Sequence, residues 1–139
     1  MNFLLTIFLS IALNQPDVNE QKIVIILNDN NNCLVCNISI SQLFEKIDER
    51  KINTVVYLNG LNRVQIKKIN SDLDIDLETT FKIINQKEKY NSLIKNHPQI
   101  SPINSYLILY NKDKLVKLYD LVELVKNNKE LAGFFKLLN

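Results

Sequence analysis

Two apolar segments on either side of an amphipathic segment limit the possible folds most strongly. Residues 22–28 form a β-branched run without polar alternation, which is typical of a central parallel strand. Residues 34–50 then take the helical period, and residues 52–58 return to strand composition. The apolar face of the middle segment consists of Ile40, Leu43, Phe44 and Ile47. This β-α-β order predicts two parallel strands joined by a right-handed crossover.

The rest of the chain continues the alternation and ends in a hairpin and a helix. We predict helices over 62–70 and 87–95, strands over 79–84, 105–110 and 115–119, and a closing helix over 120–138. Residues 71–78 are acidic and are predicted as a solvated loop, and residues 111–114 as a tight turn. A break at 127–128 allows Asn127 to cap a second helical segment. The order predicts an α/β fold with a mixed sheet and helices on both faces.

Composition excludes several function classes. The 139 residues suit one domain, and the net charge of +2 comes from interspersed charges without the basic stripe of a nucleic-acid binder. Gly60 and Gly133 are the only glycines, so no glycine-rich phosphate loop exists. Asp72, Asp74 and Asp76 lack the glycine and terminal glutamate of an EF-hand. We therefore expect no cofactor and no nucleic-acid partner.

The amino-terminal segment predicts export. Residues 3–13 are apolar except for Thr6 and Ser10, and no charged side chain occurs before Asp17. The run is shorter than the roughly 20 residues of a membrane-spanning helix and suits a signal peptide cleaved near residues 12–15. The alternative is a helix or strand packed on the core. We divide the chain into a signal peptide with a short segment over 1–20 and one domain over 21–139, without a stable membrane span after cleavage.

The two cysteines form a Cys-x-x-Cys pair at the predicted start of a helix. Cys33 and Cys36 would share one helix face, and the small ring that they close adds little stabilisation through chain entropy. Unpaired N–H groups and the positive end of the helix dipole favour a thiolate there. The spacing therefore predicts redox or metal chemistry, with Cys33 as the exposed attacking sulfur and Cys36 as the shielded resolving sulfur.

The predicted order of elements resembles that of the thioredoxin superfamily. It consists of a strand, a loop, the Cys-x-x-Cys pair at a helix start and a second strand, followed later by a hairpin and a final helix. Exported bacterial thiol-disulfide oxidoreductases with an added strand and helix before the hairpin are the most similar. Over residues 21–138, this resemblance implies a three-layer fold, exchange with protein thiols or disulfides, and location in the periplasm or outside the cell.

The family places a cis-proline before the strand that faces the cysteines, a position that falls near Asn104. The resemblance therefore implies a substrate-binding segment containing Pro102, Asn104 and Ser105. The chain differs from the usual family pattern in having Asn32 before the first cysteine and Leu-Val between the pair. It also has no acid in residues 23–27, where many members bury one.

Two other functions are compatible with the cysteine pair besides thiol-disulfide exchange. The first is a non-catalytic binding module in which the cysteines form a permanently closed local disulfide. The second is a Cu(I)-binding metallochaperone, because two thiolates suit soft metals and His97 is the single histidine. In that interpretation Cys33, Cys36 and His97 are the ligands, although related copper chaperones carry three residues between the cysteines and this chain carries two.

Overall fold

The computed structural model describes residues 20–28 and 34–138, with the side chains of residues 34 and 35 excepted. Its strands are β1 (Gln21–Ile26), β2 (Asn53–Tyr57), β3 (Lys82–Ile84), β4 (Tyr106–Asn111) and β5 (Lys114–Asp120). Its helices are α1 (Leu34–Glu49), α2 (Arg63–Leu73), α3 (Leu77–Thr80), α4 (Lys87–Lys95), α5 (Leu121–Lys126) and α6 (Asn128–Leu137). The fold is α/β, as the sequence predicts.

The five strands form one mixed sheet in the order β3-β2-β1-β4-β5. β1 and β2 are parallel, as are β2 and β3. β4 runs antiparallel to β1, and β5 runs antiparallel to β4. The predicted parallel crossovers followed by an antiparallel hairpin are therefore confirmed, and β1 lies at the centre of the sheet.

Both faces of β1 are buried, which explains its unbroken apolar sequence. Ile23 and Ile25 point into a core shared with helices α1, α2, α5 and α6. Val24 and Ile26 point to the opposite face, where α4 supplies Tyr90. Because a strand alternates its side chains, one run of apolar residues can fill both cores. The sheet is therefore covered by helices on both faces, as expected.

The closing helix is divided where the sequence predicts. α5 ends at Lys126 and α6 begins at Asn128. The Asn127 side chain accepts a hydrogen bond of 3.1 Å from the Glu130 backbone N–H. An asparagine cap of this kind satisfies a helix N–H group that has no partner within the helix.

The predictions over residues 71–84 are partly wrong. α2 continues to Leu73, and residues 77–80 form the single turn α3 instead of a loop and the start of a strand. The Thr80 hydroxyl donates a 2.7 Å hydrogen bond to the Asp76 carbonyl, and the Asn70 side chain accepts one of 3.2 Å from the Leu77 N–H. These local side-chain bonds favour a helical turn over the strand preference of threonine.

Within residues 20–28 and 34–138, no helix is both long enough and apolar enough to cross a membrane. The predicted signal peptide lies outside the described residues.

Candidate functional site

Cys36 lies in the first turn of α1, at the side of the sheet where β1 ends. Its side chain is 3% exposed and belongs to the core on the α1 face. Cys36 is disulfide-bonded. Cys33 lies outside the described residues. The position of Cys36 agrees with the prediction of a shielded sulfur near a helix start.

Asn28 follows β1 and binds the segment that precedes β4. Its side-chain Nδ2 donates a 2.6 Å hydrogen bond to the Asn104 carbonyl. Its backbone N–H donates a 3.0 Å hydrogen bond to the Ser105 Oγ. The last described residue before the segment that contains Cys33 is therefore fixed to the amino end of β4.

A third hydrogen bond reaches Asn28 from the other face of the sheet. The Tyr90 hydroxyl on α4 donates a 2.7 Å hydrogen bond to the Asn28 Oδ1. Tyr90 is 2% exposed, and burial raises the pKa of its hydroxyl, with the Asn28 hydrogen bond acting in the opposite direction and Tyr106 adding to the rise. The hydroxyl therefore stays protonated at neutral pH and serves as a donor.

The structure brings together two of the three residues predicted to bind substrate. Asn104 and Ser105 contact Asn28, and the Ser105 carbonyl also accepts a 2.9 Å hydrogen bond from the Leu121 N–H. Pro102 is exposed within the preceding turn. The described residues contain no cis peptide bond. Asn104 and Ser105 thus occupy the position next to β4 without a cis-proline.

A small cavity opens beside Asn28. Its volume is about 30 Å³. Its apolar walls are formed by Leu27, Ile40, Ile69 and Leu73, and its polar lining by Asn28, Asp72 and Ser105. Ile40 is one helical turn after Cys36 on α1. The cavity therefore lies between the end of β1, the helix that carries Cys36, and α2.

No carboxylate lies within β1. Ile23 to Ile26 and the following Leu27 are all buried and apolar. This agrees with the absence of an acid noted in the sequence. The carboxylate that lines the cavity is instead that of Asp72, an exposed residue on α2 that forms no ion pair with another described residue.

The structure does not bring His97 to Cys36. The His97 Nε2 lies 2.8 Å from the Tyr110 Oη. Tyr110 pairs with Lys22 near the start of β1 and packs on the α4 face, whereas Cys36 belongs to the α1 face. Among the described residues, no three His, Cys, Asp or Glu side chains could hold a metal ion. Cys33, the remaining residue of the copper interpretation, lies outside them.

Asn28 and Tyr90 are the residues of this site that sequence reasoning missed. Asn28 was visible only as a polar residue ending an apolar run, and Tyr90 only as an apolar-face residue of the 87–95 helix. Their partners lie 62 to 77 residues away along the chain, so no local pattern could reveal the contacts.

No protein-family model matches this chain. No curated protein matches it either.

Proposed function

We propose that this chain is a thioredoxin-like protein that exchanges thiols and disulfides with protein substrates through Cys33 and Cys36. The observation that carries the proposal is the disulfide on Cys36, a 3%-exposed residue in the first turn of a helix that follows the central strand. The chain contains two cysteines, and Cys33 is the proposed partner of Cys36. N–H groups at a helix start favour the thiolate that exchange requires.

The proposed exchange transfers two electrons. In the reducing direction the Cys33 thiolate attacks a substrate disulfide, and one substrate sulfur leaves as a thiolate. The Cys36 thiolate then attacks the Cys33 sulfur in the mixed disulfide, and the second substrate thiolate leaves. The substrate disulfide is reduced, the cysteine pair is oxidised, and the released thiolates take protons from solvent. The reverse sequence oxidises a substrate dithiol.

The strand order supports the thioredoxin-like part of the proposal. β1, which precedes the cysteine pair, lies between a parallel strand and the antiparallel β4–β5 hairpin. The inserted β3 and α4 precede that hairpin, as in the exported oxidoreductases that the sequence resembles. Asn104 and Ser105 next to Asn28 support a substrate-binding role for this segment.

Reduction of insulin by dithiothreitol tests the activity. The wild-type protein should accelerate insulin precipitation, and Cys33→Ser should abolish the acceleration because the attacking sulfur is lost. Cys36→Ser should accumulate a mixed disulfide that mass spectrometry detects, since resolution is blocked. Acceleration that persists in Cys33→Ser would contradict the assigned roles, and a wild-type protein without activity would support a binding module instead.

We further propose export to the bacterial periplasm or the medium, on the basis of the apolar run over residues 3–13. The intact mass of the protein recovered from the producing cell tests this proposal. Loss of the first 12 to 15 residues is the expected result. A mass that retains residues 1–13 would contradict cleavage.

A further inference from the structure

The tip of the β4–β5 hairpin, residues 112–117, is uncovered on both sides. Every residue of the tip is exposed, whereas Leu107, Ile108 and Leu109 of β4 are buried. Because a strand points its side chains alternately to its two faces, this run shows that no helix of the described chain covers either face of the sheet there. The hairpin tip therefore projects beyond both cores.

The hairpin tip combines two apolar side chains with positive charge. Leu115 is 46% exposed and Val116 is 45% exposed. Lys114 and Lys117 flank them, and neither makes an ion pair with another described residue. Adjacent exposed apolar residues between cations are the combination that binds the headgroup region of an anionic bilayer.

The charges around the hairpin tip leave it positive. The tip itself contains three lysines and one carboxylate, that of Asp113. Lys112 pairs with Glu20, at 3.3 Å between Nζ and Oε2. In the neighbouring groove between β5 and α6, Lys129 and Glu130 both form part of the lining and offset each other. An anionic surface is therefore electrostatically complementary to the hairpin tip.

The irregular pairing of β5 argues against the addition of a further strand at this edge of the sheet. The register with β4 passes from Leu109–Lys117 to Tyr110–Leu115, which leaves Val116 without a partner. A bulge and lysines on an edge strand both oppose pairing with another strand. A lipid surface contacts the side chains of the tip and needs no backbone register.

Glu20 connects the hairpin tip to the amino-terminal part of the chain. The Lys112 backbone N–H donates a 3.1 Å hydrogen bond to the Glu20 carbonyl. The apolar run ends at Leu13, and a fully extended chain places residues 13 and 20 at most roughly 25 Å apart. A bilayer that receives the apolar run before cleavage would therefore lie within reach of the hairpin tip.

We propose that the hairpin tip binds the surface of an anionic lipid bilayer. Leu115 and Val116 insert among the lipid headgroups, and Lys114 and Lys117 lie against the lipid phosphates. This binding does not depend on the cysteine pair, and it adds a membrane-surface location to the proposed export. Asn28 lies at the other end of β1, roughly 20 Å from the strand start, so the candidate site lies on the side away from the lipid.

Tryptophan fluorescence of the full chain tests the proposal. The chain contains no tryptophan, so Val116→Trp introduces a single reporter at the hairpin tip. Val64→Trp is the matched control, because Val64 is 75% exposed on α2, whose Ile69 and Leu73 pack beside Asn28. With vesicles of equal parts phosphatidylglycerol and phosphatidylcholine, the emission of Val116→Trp should shift to shorter wavelength and be quenched by brominated lipids. Val64→Trp should show neither change.

Vesicle sedimentation measures the affinity of variants without a reporter. Lys114→Gln combined with Lys117→Gln should weaken binding to the mixed vesicles about 25-fold, at about fivefold for each lysine. Leu115→Ser combined with Val116→Ser should weaken it about tenfold.

The matched control for the lysines is Lys67→Gln combined with Lys68→Gln, two exposed lysines of α2. It should change the affinity by less than about twofold, because membrane attraction decays within a Debye length. Wild-type protein should bind vesicles of phosphatidylcholine alone more weakly. Since every variant carries the same amino-terminal residues, differences between variants report on the substituted side chains.

Three results would overturn the proposal. The first is a wild-type protein that does not bind the mixed vesicles, including one that binds polyglutamate instead, which would assign the lysines to an acidic protein partner. The second is equal binding by the hairpin variants and the α2 control. The third is a wild-type dimer in the absence of lipid that Leu115→Ser with Val116→Ser dissociates, which would replace the bilayer by a second copy of the chain.

Discussion

The Tyr90 hydroxyl reaches the Asn28 side chain at 2.7 Å and thereby links α4 to the end of β1. Asn28 also binds Asn104 and Ser105, so one side chain and its backbone join three segments of the chain. Residue 28 is followed by the segment that contains Cys33. This network fixes the position of Asn28 at the end of β1.

Breaking the Tyr90–Asn28 hydrogen bond should destabilise the protein measurably. We expect Tyr90→Phe to lower the free energy of unfolding by about 1 kcal/mol, because Asn28 Oδ1 loses a donor. In a double-mutant cycle with Asn28→Ala, urea denaturation should give a coupling energy of about 1 kcal/mol. Tyr57→Phe is the control, since Tyr57 is half-buried and its hydroxyl makes no hydrogen bond with described residues. Additive effects in the cycle would contradict the contact.

Removing the Ser105 hydroxyl should destabilise the fold more than removing the nearby Ser101 hydroxyl. Ser105 is 4% exposed, and its Oγ is the acceptor for the Asn28 N–H. Ser105→Ala leaves that N–H without its partner and should cost about 1–2 kcal/mol in chemical denaturation. Ser101→Ala should cost less than about 0.5 kcal/mol, because Ser101 Oγ only accepts a 3.3 Å bond at the surface. Similar losses for both variants would argue against the Asn28–Ser105 bond.

Alkaline pH should destabilise the fold through its buried tyrosines. Burial raises the pKa values of Tyr90, Tyr110 and Tyr119 above their ordinary value of 10.0. The folded state then holds these protons more tightly than the unfolded state. The contribution of these tyrosines to the free energy of unfolding is complete below about pH 10 and is lost as the pH rises through their raised pKa values.

Urea midpoints measured between about pH 8 and pH 11 check this expectation. The wild-type midpoint should fall above about pH 10, and Tyr90→Phe should show a smaller fall because one titrating group is gone. A midpoint that rises over this interval would contradict the sign.

The Asn127 cap between α5 and α6 should stabilise the fold independently of the candidate site around Asn28. Asn127→Ala removes the acceptor for the Glu130 N–H and should lower stability by about 1 kcal/mol. Asn128→Ala is the matched control, because Asn128 is exposed and is the first residue of α6. Thermal denaturation should show a lower Tm for the first variant only, and equal shifts would show that Asn127 is not acting as a cap.

Sequence patterns predicted the elements whose apolar residues repeat regularly. The 87–95 helix matches α4 from end to end, and the 111–114 turn contains Lys112 and Asp113, both with positive φ, as hairpin turns require. The prediction for residues 71–84 was partly wrong because Leu73 and Leu77 are buried although their neighbours in the sequence are acidic. The sequence there resembles a solvated loop, while tertiary burial and side-chain hydrogen bonds make it helical.

The candidate site was predictable only in part for a similar reason. The position of Cys36 at a helix start follows from local periodicity. The contacts of Asn28 with Tyr90 and Ser105 depend on segments far apart in the chain, and no periodic signal marks them. The placement of His97 beside Tyr110 likewise depends on sheet register.

The reduction potential of the cysteine pair tests the central claim most directly. Equilibration of the wild-type protein with glutathione buffers, followed by alkylation and mass spectrometry, gives the oxidised fraction at each potential. We expect a value between about −270 and −120 mV, the range from thioredoxin to strong oxidases. A value below about −300 mV, typical of structural disulfides, would contradict a working exchange site.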